Sequence, residues 1–309
     1  MSVVSRIPRA LTGRIALVAA VAALLAACSS SAGGGSGAAS TSTSAPVAQA
    51  SDKYPNSIVV LGHSGATGYD SDPKAPETDA TQNSWATGDN PEIRSIYLHL
   101  LALNPAVRGH NTNLAVDGTG VGELAGQADQ ALATKPLPEL FLIQSVDNDM
   151  RCDGTDADNY APFAATLTEV LKKITSGAPK AKILIVSSPW ATVQNYGQVA
   201  AQLPGPRAAN SGTGPCDQFD PSGKPVPAHW RTLEGTTLHY LGELKSACAK
   251  FPACQYDNDA LYHMKITTDD ITTSDGFHLT ITGLRKQAAL EWRVLGTGFV
   301  AAARGKLTR

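Results

Sequence analysis

The stretch Ser57-Ile-Val-Val-Leu-Gly-His-Ser-Gly65 contains the segment that decides the fold. Its first half is a short run of mostly β-branched apolar residues that stops at Gly62, which is typical of a buried strand in a parallel sheet. Its second half places Ser64 between small residues directly after that strand. A turn of this kind lets the hydroxyl project and turns backbone N–H groups towards a ligand, although a plain glycine turn has the same composition.

Strand-like and helix-like segments alternate over the rest of the folded region. The alternation predicts an α/β fold with a mainly parallel sheet that helices cover on both faces. In such a sheet, ligands bind outside the carboxyl ends of the strands, which is where Ser64 falls. We predict further strands at 113–116, 140–143, 183–186 and 255–256, helices at 91–103, 123–133, 160–175, 230–250 and 282–303, and a long excursion at 189–227.

A second polar motif, Ser274-Asp-Gly-Phe-His278, precedes the last predicted helix. A carboxylate three residues before a histidine can orient the imidazole and stabilise its charged form. The imidazole can then take a proton from a serine hydroxyl. The motif therefore makes Asp275 and His278 candidate partners of Ser64, and the alternative is an exposed loop with a capping aspartate.

Two further segments between these motifs offer hydrogen-bond donors. Residues 113–118 read Asn-Leu-Ala-Val-Asp-Gly, and residues 146–149 read Val-Asp-Asn-Asp. The backbone N–H of Gly118 and the side-chain amide of Asn148 are suited to hold a developing oxyanion, and such donors are each worth a few kcal/mol in a transition state. Either segment by itself is a weak signal.

Taken together, the order Ser, Gly, Asn and Asp-x-x-His resembles the SGNH (GDSL-type) hydrolase family over about residues 55–303. The resemblance implies a flavodoxin-like three-layer α/β/α sandwich and an esterase, lipase, lysophospholipase or carbohydrate acetylesterase activity. It implies that Ser64 is the nucleophile, His278 the base and Asp275 the acid that orients it. The oxyanion hole would comprise the N–H groups of Ser64 and Gly118 and the amide of Asn148, and no metal or organic cofactor is implied.

Two positions depart from the family pattern. His63 stands where the first motif usually has Asp, and Val146 stands where the third usually has Gly, so that Val146 is expected to crowd the approach to the site.

A competing interpretation is the G-x-S-x-G elbow of α/β-hydrolases, with Ala66 in place of the last Gly. Several strands precede the elbow in that fold, whereas only one precedes Ser64, which argues against it.

The amino-terminal segment has the pattern of an export signal. Arg6, Arg9 and Arg14 precede an apolar run at 15–27, which spans about 20 Å as a helix and is too short for a bilayer core of about 30 Å. The run ends in Leu-Ala-Ala-Cys28, which looks like a bacterial lipobox, and ordinary signal cleavage is the alternative. We therefore predict a lipoprotein signal peptide at 1–27 with lipidation of Cys28, a flexible tether at 28–51 and an SGNH hydrolase domain at 52–309.

The overall charge argues against nucleic acid as the main partner. The chain carries 25 basic and 27 acidic side chains, and three of the arginines lie in the predicted signal segment. A mildly acidic mature protein has no general attraction to nucleic acid or to anionic lipid. We expect a monomer that contacts the membrane only through its lipid anchor, on the outer face of the cell membrane, with some release to the cell wall or medium.

Four cysteines follow Cys28. An even number in an exported protein favours two disulfides, for which three pairings exist. The short separation of Cys248 and Cys254 favours a local bridge, which leaves Cys152 with Cys216. A structural zinc site is disfavoured because no C-x-x-C pair is present.

The sequence thus supports two classes of function. The first is a secreted, membrane-anchored serine esterase that cleaves carboxylic esters through an acyl-enzyme, with the ester on a lipid, a glycan or a small molecule. The second is a non-catalytic surface lipoprotein that uses the same fold to bind a glycan or a lipid.

Overall fold

Five parallel strands form the single sheet of the described chain. They are β1 (Ile58–Gly62), β2 (Asn111–Asn113), β3 (Leu140–Gln144), β4 (Lys182–Val186) and β5 (Cys254–Tyr256). Their order across the sheet is β2-β1-β3-β4-β5, and every neighbouring pair is parallel. This is the strand order of flavodoxin-like α/β folds, so the predicted fold class is confirmed.

The structure is a computed structural model that describes residues 54–188, 192–297 and 299. All of these residues belong to one compact unit. Over these ranges, no helix combines the length and the apolar character needed to cross a bilayer. The predicted signal peptide at 1–27, with its lipidation site Cys28, and the tether at 28–51 lie outside the described residues.

Helices cover both faces of the sheet, because successive strand residues point to opposite sides. The helices are α1 (Ser64–Thr67), α2 (Ile96–Leu103), α3 (Leu124–Ala133), α4 (Asp156–Gly177), α5 (Val193–Ala200), α6 (Pro204–Ala209), α7 (Pro227–Cys248) and α8 (Ile281–Thr297). Val60, Leu142 and Leu184 pack on one face against α2, α5 and α8. Val59 and Phe141, with their neighbours, pack on the other face against α3, α4 and α7.

The predicted helix at 91–103 is wrong in its first turn, because α2 begins at Ile96. Arg94 has a φ of 54°, a left-handed conformation that breaks a helix. Ser95 then caps α2, since its hydroxyl accepts a hydrogen bond from the Leu98 N–H at 3.2 Å.

Other elements also differ from the prediction. The strand predicted at 113–116 lies instead at Asn111–Asn113, and the Asn113 side-chain oxygen accepts from the Ala115 N–H at 3.1 Å and turns the chain. Helix α4 begins four residues earlier than predicted. The excursion at 189–227 contains the two short helices α5 and α6, although its Gly and Pro content suggested none.

Two disulfides join elements on the α4–α7 side of the molecule. Cys152 pairs with Cys216, and Cys248 pairs with Cys254, the pairing that the sequence favours. The first bridge connects the loop after β3 to the segment before α7, and the second connects the end of α7 to the start of β5. These four thiols are therefore not available as zinc ligands.

Candidate active site

The turn after β1 requires glycine at its first position. Gly62 has a φ of 141°, and a Cβ at this position would lie 2.1 Å from the backbone oxygen of Gln144 on the neighbouring strand. The buried amide of Gln127 on α3 holds the same residue from the other side. It accepts from the Gly62 N–H at 2.7 Å and donates to the Gly62 carbonyl at 2.9 Å. These contacts fix the backbone conformation of Gly62, two residues before Ser64.

His63 and Gly65 fix the residue that lies between them. His63 is the N-cap of α1, and its Nδ1 accepts a hydrogen bond from the Gly65 N–H at 3.2 Å. A Cβ at Gly65 would lie 2.4 Å from the side-chain nitrogen of Gln144, so any larger residue would force the Gln144 side chain to move. Ser64 is therefore the first residue of α1 and keeps 7% of its surface exposed.

The structure brings Ser64, His278 and Asp275 into one hydrogen-bonded line. The Ser64 hydroxyl lies 2.7 Å from Nε2 of His278, and Nδ1 of His278 lies 2.5 Å from Oδ2 of Asp275. Ser64 and His278 are 214 residues apart in the chain. This is the arrangement in which a carboxylate orients an imidazole that in turn activates a hydroxyl.

Asp275 is held by three more donors on its second oxygen. Oδ1 accepts from the Thr272 hydroxyl at 2.6 Å, from the Phe277 N–H at 2.8 Å and from the His278 N–H at 3.1 Å. Burial by itself would raise the pKa of this carboxyl, but its hydrogen bond and charge interaction with His278 and the bond from Thr272 hold the pKa well below its usual value. Asp275 is therefore an anion at neutral and mildly acidic pH.

Aromatic side chains limit the movement of the His278 ring. The ring of Tyr69 lies 4.8 Å from it and that of Phe277 lies 4.9 Å from it, measured between centroids. Both rings are tilted relative to the imidazole, as is preferred for aromatic pairs.

The two predicted oxyanion segments are fastened to the nucleophile turn. The Thr67 hydroxyl of α1 donates to Asp117 at 3.1 Å, and the Thr119 hydroxyl donates to the Gly62 carbonyl at 3.0 Å. Gly118 lies between these two anchors with a φ of 71°. The side-chain nitrogen of Asn148 donates to the Thr119 carbonyl at 2.9 Å, so both segments lie side by side at this edge of the sheet.

Val146 does not crowd the approach to Ser64, contrary to the expectation from its departure from the family pattern. Its side chain is fully buried and belongs to the hydrophobic core that contains α3 and α4. Its φ is 109°, which is unusual for a β-branched residue and costs on the order of 1–3 kcal/mol.

Asp117 adds a titratable carboxyl beside Gly118. Burial, followed by the nearby charge of Asp79, raises its pKa to about 6 from a usual value near 4. The half-buried carboxyl therefore changes charge under mildly acidic conditions.

We expect Asp117→Asn to stabilise the protein at pH 8 and not at pH 4. The folded state binds the Asp117 proton more tightly than the unfolded state, so the free energy of unfolding falls as the pH rises from about 4 to about 6. Asparagine carries no charge at either pH and therefore removes this fall in the free energy of unfolding, which is about 1 kcal/mol after allowance for solvent screening. Urea unfolding at both pH values measures it, and an equal difference between variant and parent at the two pH values would contradict it.

Several residues of the site have no sequence signal. Gln127 and Gln144 contact residues that are 65 and 59 positions away in the chain, and such contacts leave no local motif. Thr272 lies three residues before Asp275, but a threonine at that spacing is too common to serve as a motif. Throughout the described part of the chain, no group of three or more His, Cys, Asp or Glu side chains is placed to hold a metal ion.

No protein-family model and no curated protein matches the chain. It resembles solved structures at low identity. The Clostridium thermocellum family 3 carbohydrate esterase is 13% identical, with 80% of this chain and 98% of that chain covered and a TM-score of 0.47. Phospholipase A1 from Streptomyces albidoflavus NA297 is 13% identical over 78% and 98%, with a TM-score of 0.47. The extracellular lipase from Streptomyces rimosus is 15% identical over 77% and 99%, with a TM-score of 0.44.

Proposed function

We propose that the chain is a serine esterase of the SGNH (GDSL-type) kind that hydrolyses short-chain carboxylic esters through an acyl-enzyme. The observation that carries the proposal is the line from Ser64 through His278 to Asp275, with distances of 2.7 and 2.5 Å. A serine hydroxyl is a poor nucleophile unless a base accepts its proton, and this geometry supplies that base.

In the first half of the reaction, the Ser64 oxygen attacks the carbonyl carbon of the ester while Nε2 of His278 takes the hydroxyl proton. The carbonyl oxygen becomes an oxyanion. As the tetrahedral intermediate collapses, the bond to the alcohol breaks and His278 gives the proton to the departing oxygen. Asp275 stabilises the imidazolium that exists between these two transfers.

In the second half, a water molecule takes the place of the alcohol. His278 removes one proton from this water as its oxygen attacks the acyl carbon. Collapse of the second tetrahedral intermediate breaks the bond to Ser64 and returns the proton to the serine oxygen, which releases the carboxylic acid. The enzyme ends in its starting state, and no redox step is required.

Asn148 is proposed as an oxyanion donor with the N–H groups of Ser64 and Gly118. Its amide carries two N–H bonds. One of them donates to the Thr119 carbonyl and fixes the orientation of the amide, which leaves the other for the substrate.

Asn148→Ala is therefore expected to lower kcat by about 10² or more with a smaller effect on KM, because the donor acts mainly on developing charge. Steady-state kinetics with p-nitrophenyl acetate measures this effect. Thermal unfolding must show that the variant is folded, because the change also removes a loop hydrogen bond. A folded variant with near-normal turnover would exclude Asn148 from the mechanism.

The space around Ser64 favours short acyl groups. The cavity that adjoins Ser64 and His278 measures about 20 Å³ over the described residues, which is room for about one water molecule. A cavity of this size cannot hold a long acyl chain, so added methylene groups would gain little burial there.

Turnover of p-nitrophenyl acetate, butyrate and octanoate tests the proposed function. We expect hydrolysis of the acetate and the butyrate, with kcat/KM lower for the octanoate. If none of the three esters is hydrolysed, the non-catalytic binding function becomes the better account.

We also propose that the enzyme is exported and anchored through lipid on Cys28. The proposal is supported by the Leu-Ala-Ala-Cys28 motif after an apolar run and by two disulfides, which persist in oxidising compartments. Stable anchoring requires two or more acyl chains, since a single chain holds only marginally.

We expect Cys28→Ala to move the protein from the membrane fraction to the medium. Fractionation of cells that express the parent and the variant measures this. Retention of the variant on the membrane to the same extent as the parent would contradict lipid anchoring and would leave the esterase assignment unaffected.

A further inference from the structure

Four buried polar atoms that meet no hydrogen-bond partner among the described residues belong to side chains around one small cavity. They are Nε2 of His63, Nε2 of Gln144, Oδ2 of Asp147 and Oε1 of Gln287. Their residues are 1%, 0%, 4% and 0% exposed, respectively. All four line the cavity of about 20 Å³ that also touches Ser64. Buried polar groups in native proteins are nearly always hydrogen-bonded, so this cluster points to a ligand.

Two of the four atoms are donors. Nδ1 of His63 accepts from the Gly65 N–H, so the ring proton is on Nε2. The side-chain oxygen of Gln144 accepts from the indole N–H of Trp85 at 2.7 Å, which assigns its other terminal atom as the nitrogen. His63 and Gln144 thus each present an N–H group to the cavity.

The other two atoms are acceptors. Oδ1 of Asp147 accepts from the Ser188 hydroxyl at 2.7 Å, which leaves Oδ2 free to accept another bond. The nitrogen of Gln287 donates to the Gln144 oxygen at 3.4 Å, so its own oxygen is the remaining acceptor. Nε2 of His63 and Oδ2 of Asp147 approach to 3.3 Å, but the geometry does not make a hydrogen bond, so both atoms still need a partner.

We infer that the chain binds one ordered water molecule in this cavity. A water molecule accepts two hydrogen bonds and donates two, which matches the two donors and two acceptors. A cavity of about 20 Å³ is sufficient for one water molecule, which needs about 10–15 Å³ and two to four polar partners. A metal cation would face two N–H groups, and an anion would face the Asp147 carboxylate, so neither fits as well.

The water connects four elements around the nucleophile. His63 belongs to the Ser64 turn, Gln144 ends β3, Asp147 precedes Asn148 in the oxyanion segment, and Gln287 lies on α8. A bridge between them fixes the distance between Ser64 and the oxyanion donors, which matters because small misplacements of reacting groups are costly in rate. Gln287 is therefore a positioning residue, and this role, unlike the water site itself, rests on the proposed function.

A crystal structure of the folded protein at 1.5 Å or better tests the site. We expect electron density for one water molecule within 2.6–3.2 Å of Nε2 of His63, Oδ2 of Asp147 and the terminal atoms of Gln144 and Gln287. A cavity without such density, with His63 bonded directly to Asp147, would overturn the assignment. This readout does not depend on whether the protein hydrolyses esters.

The variant Gln287→Leu tests the positioning role. It removes one of the four partners and is expected to lower the occupancy of the water or to displace it, and to lower kcat for p-nitrophenyl acetate by about tenfold, with KM changed less than twofold. Gln255→Leu is the matched control, because Gln255 also contacts α8, through the Val294 carbonyl, but lies away from the cavity; it should retain the parental kcat. Folded Gln287→Leu with parental kcat would overturn the positioning role. Water that persists at full occupancy in this variant would overturn the four-partner site, and if the variant does not fold, the parental density decides.

Discussion

Ser64→Ala is expected to lower kcat for p-nitrophenyl acetate by about 10⁴ or more and to leave the fold unchanged. The substitution removes the hydroxyl that lies 2.7 Å from Nε2 of His278, and removal of a triad nucleophile leaves only the contribution of binding and of the oxyanion hole. The fold is preserved because the cap of α1 is His63 and not Ser64, so the substitution removes no capping interaction. Steady-state kinetics at equal concentration of folded protein measures the loss.

Ser57→Ala is a suitable control for this result. It makes the same substitution next to the opposite end of β1, where the Ser57 hydroxyl donates to the Leu137 carbonyl at 2.7 Å. We expect a loss of about 1 kcal/mol in the free energy of unfolding with turnover retained. If Ser64→Ala turns over at the rate of Ser57→Ala, the serine-hydrolase account is wrong.

His278→Ala is expected to reduce kcat nearly as much as Ser64→Ala, because the hydroxyl then has no base within reach. Asp275→Ala is expected to be milder, since water or a backbone carbonyl can partly replace a carboxylate that orients the ring. Added imidazole should restore part of the activity of His278→Ala and none of that of Ser64→Ala. Kinetics with and without imidazole at about 0.1 M distinguish a missing base from a distorted site.

His263→Ala controls for the loss of a histidine as such, because His263 is an exposed residue outside the Ser64 line. It should keep parental kinetics. A folded His278→Ala variant with at least a tenth of the parental kcat would contradict the role of His278 as the base, whatever the effect of imidazole.

The strand pattern was sufficient to predict the fold class. Apolar runs such as 140–143 are buried on both faces, and only a parallel sheet covered by helices accommodates several of them. The start of α2 was not predictable from periodicity, because it depends on the left-handed backbone of Arg94 and the cap at Ser95. Apolar spacing carries no information about either.

The candidate site was predictable only where its residues form local motifs. Ser64 lies in a glycine turn, and Asp275 lies three residues before His278, so both motifs can be recognised in the amino-acid sequence. The hydrogen bond between the Gly62 N–H and the Gln127 side chain joins residues 65 positions apart. Glutamine is common on helices, so its presence at position 127 did not indicate this contact. The expectation that Val146 crowds the site was wrong for a related reason. An unusual backbone conformation directs its side chain into the core, and the residue type does not reveal that conformation.

Covalent labelling by a fluorophosphonate tests the central claim most directly, because the reagent reacts only with a serine that a base has activated. The parent protein is treated with the probe, and the labelled peptide is identified by mass spectrometry. We predict one adduct per chain, on Ser64, with no labelling of Ser64→Ala. An unlabelled parent, or equal labelling of parent and Ser64→Ala, would contradict the assignment of Ser64 as an activated nucleophile.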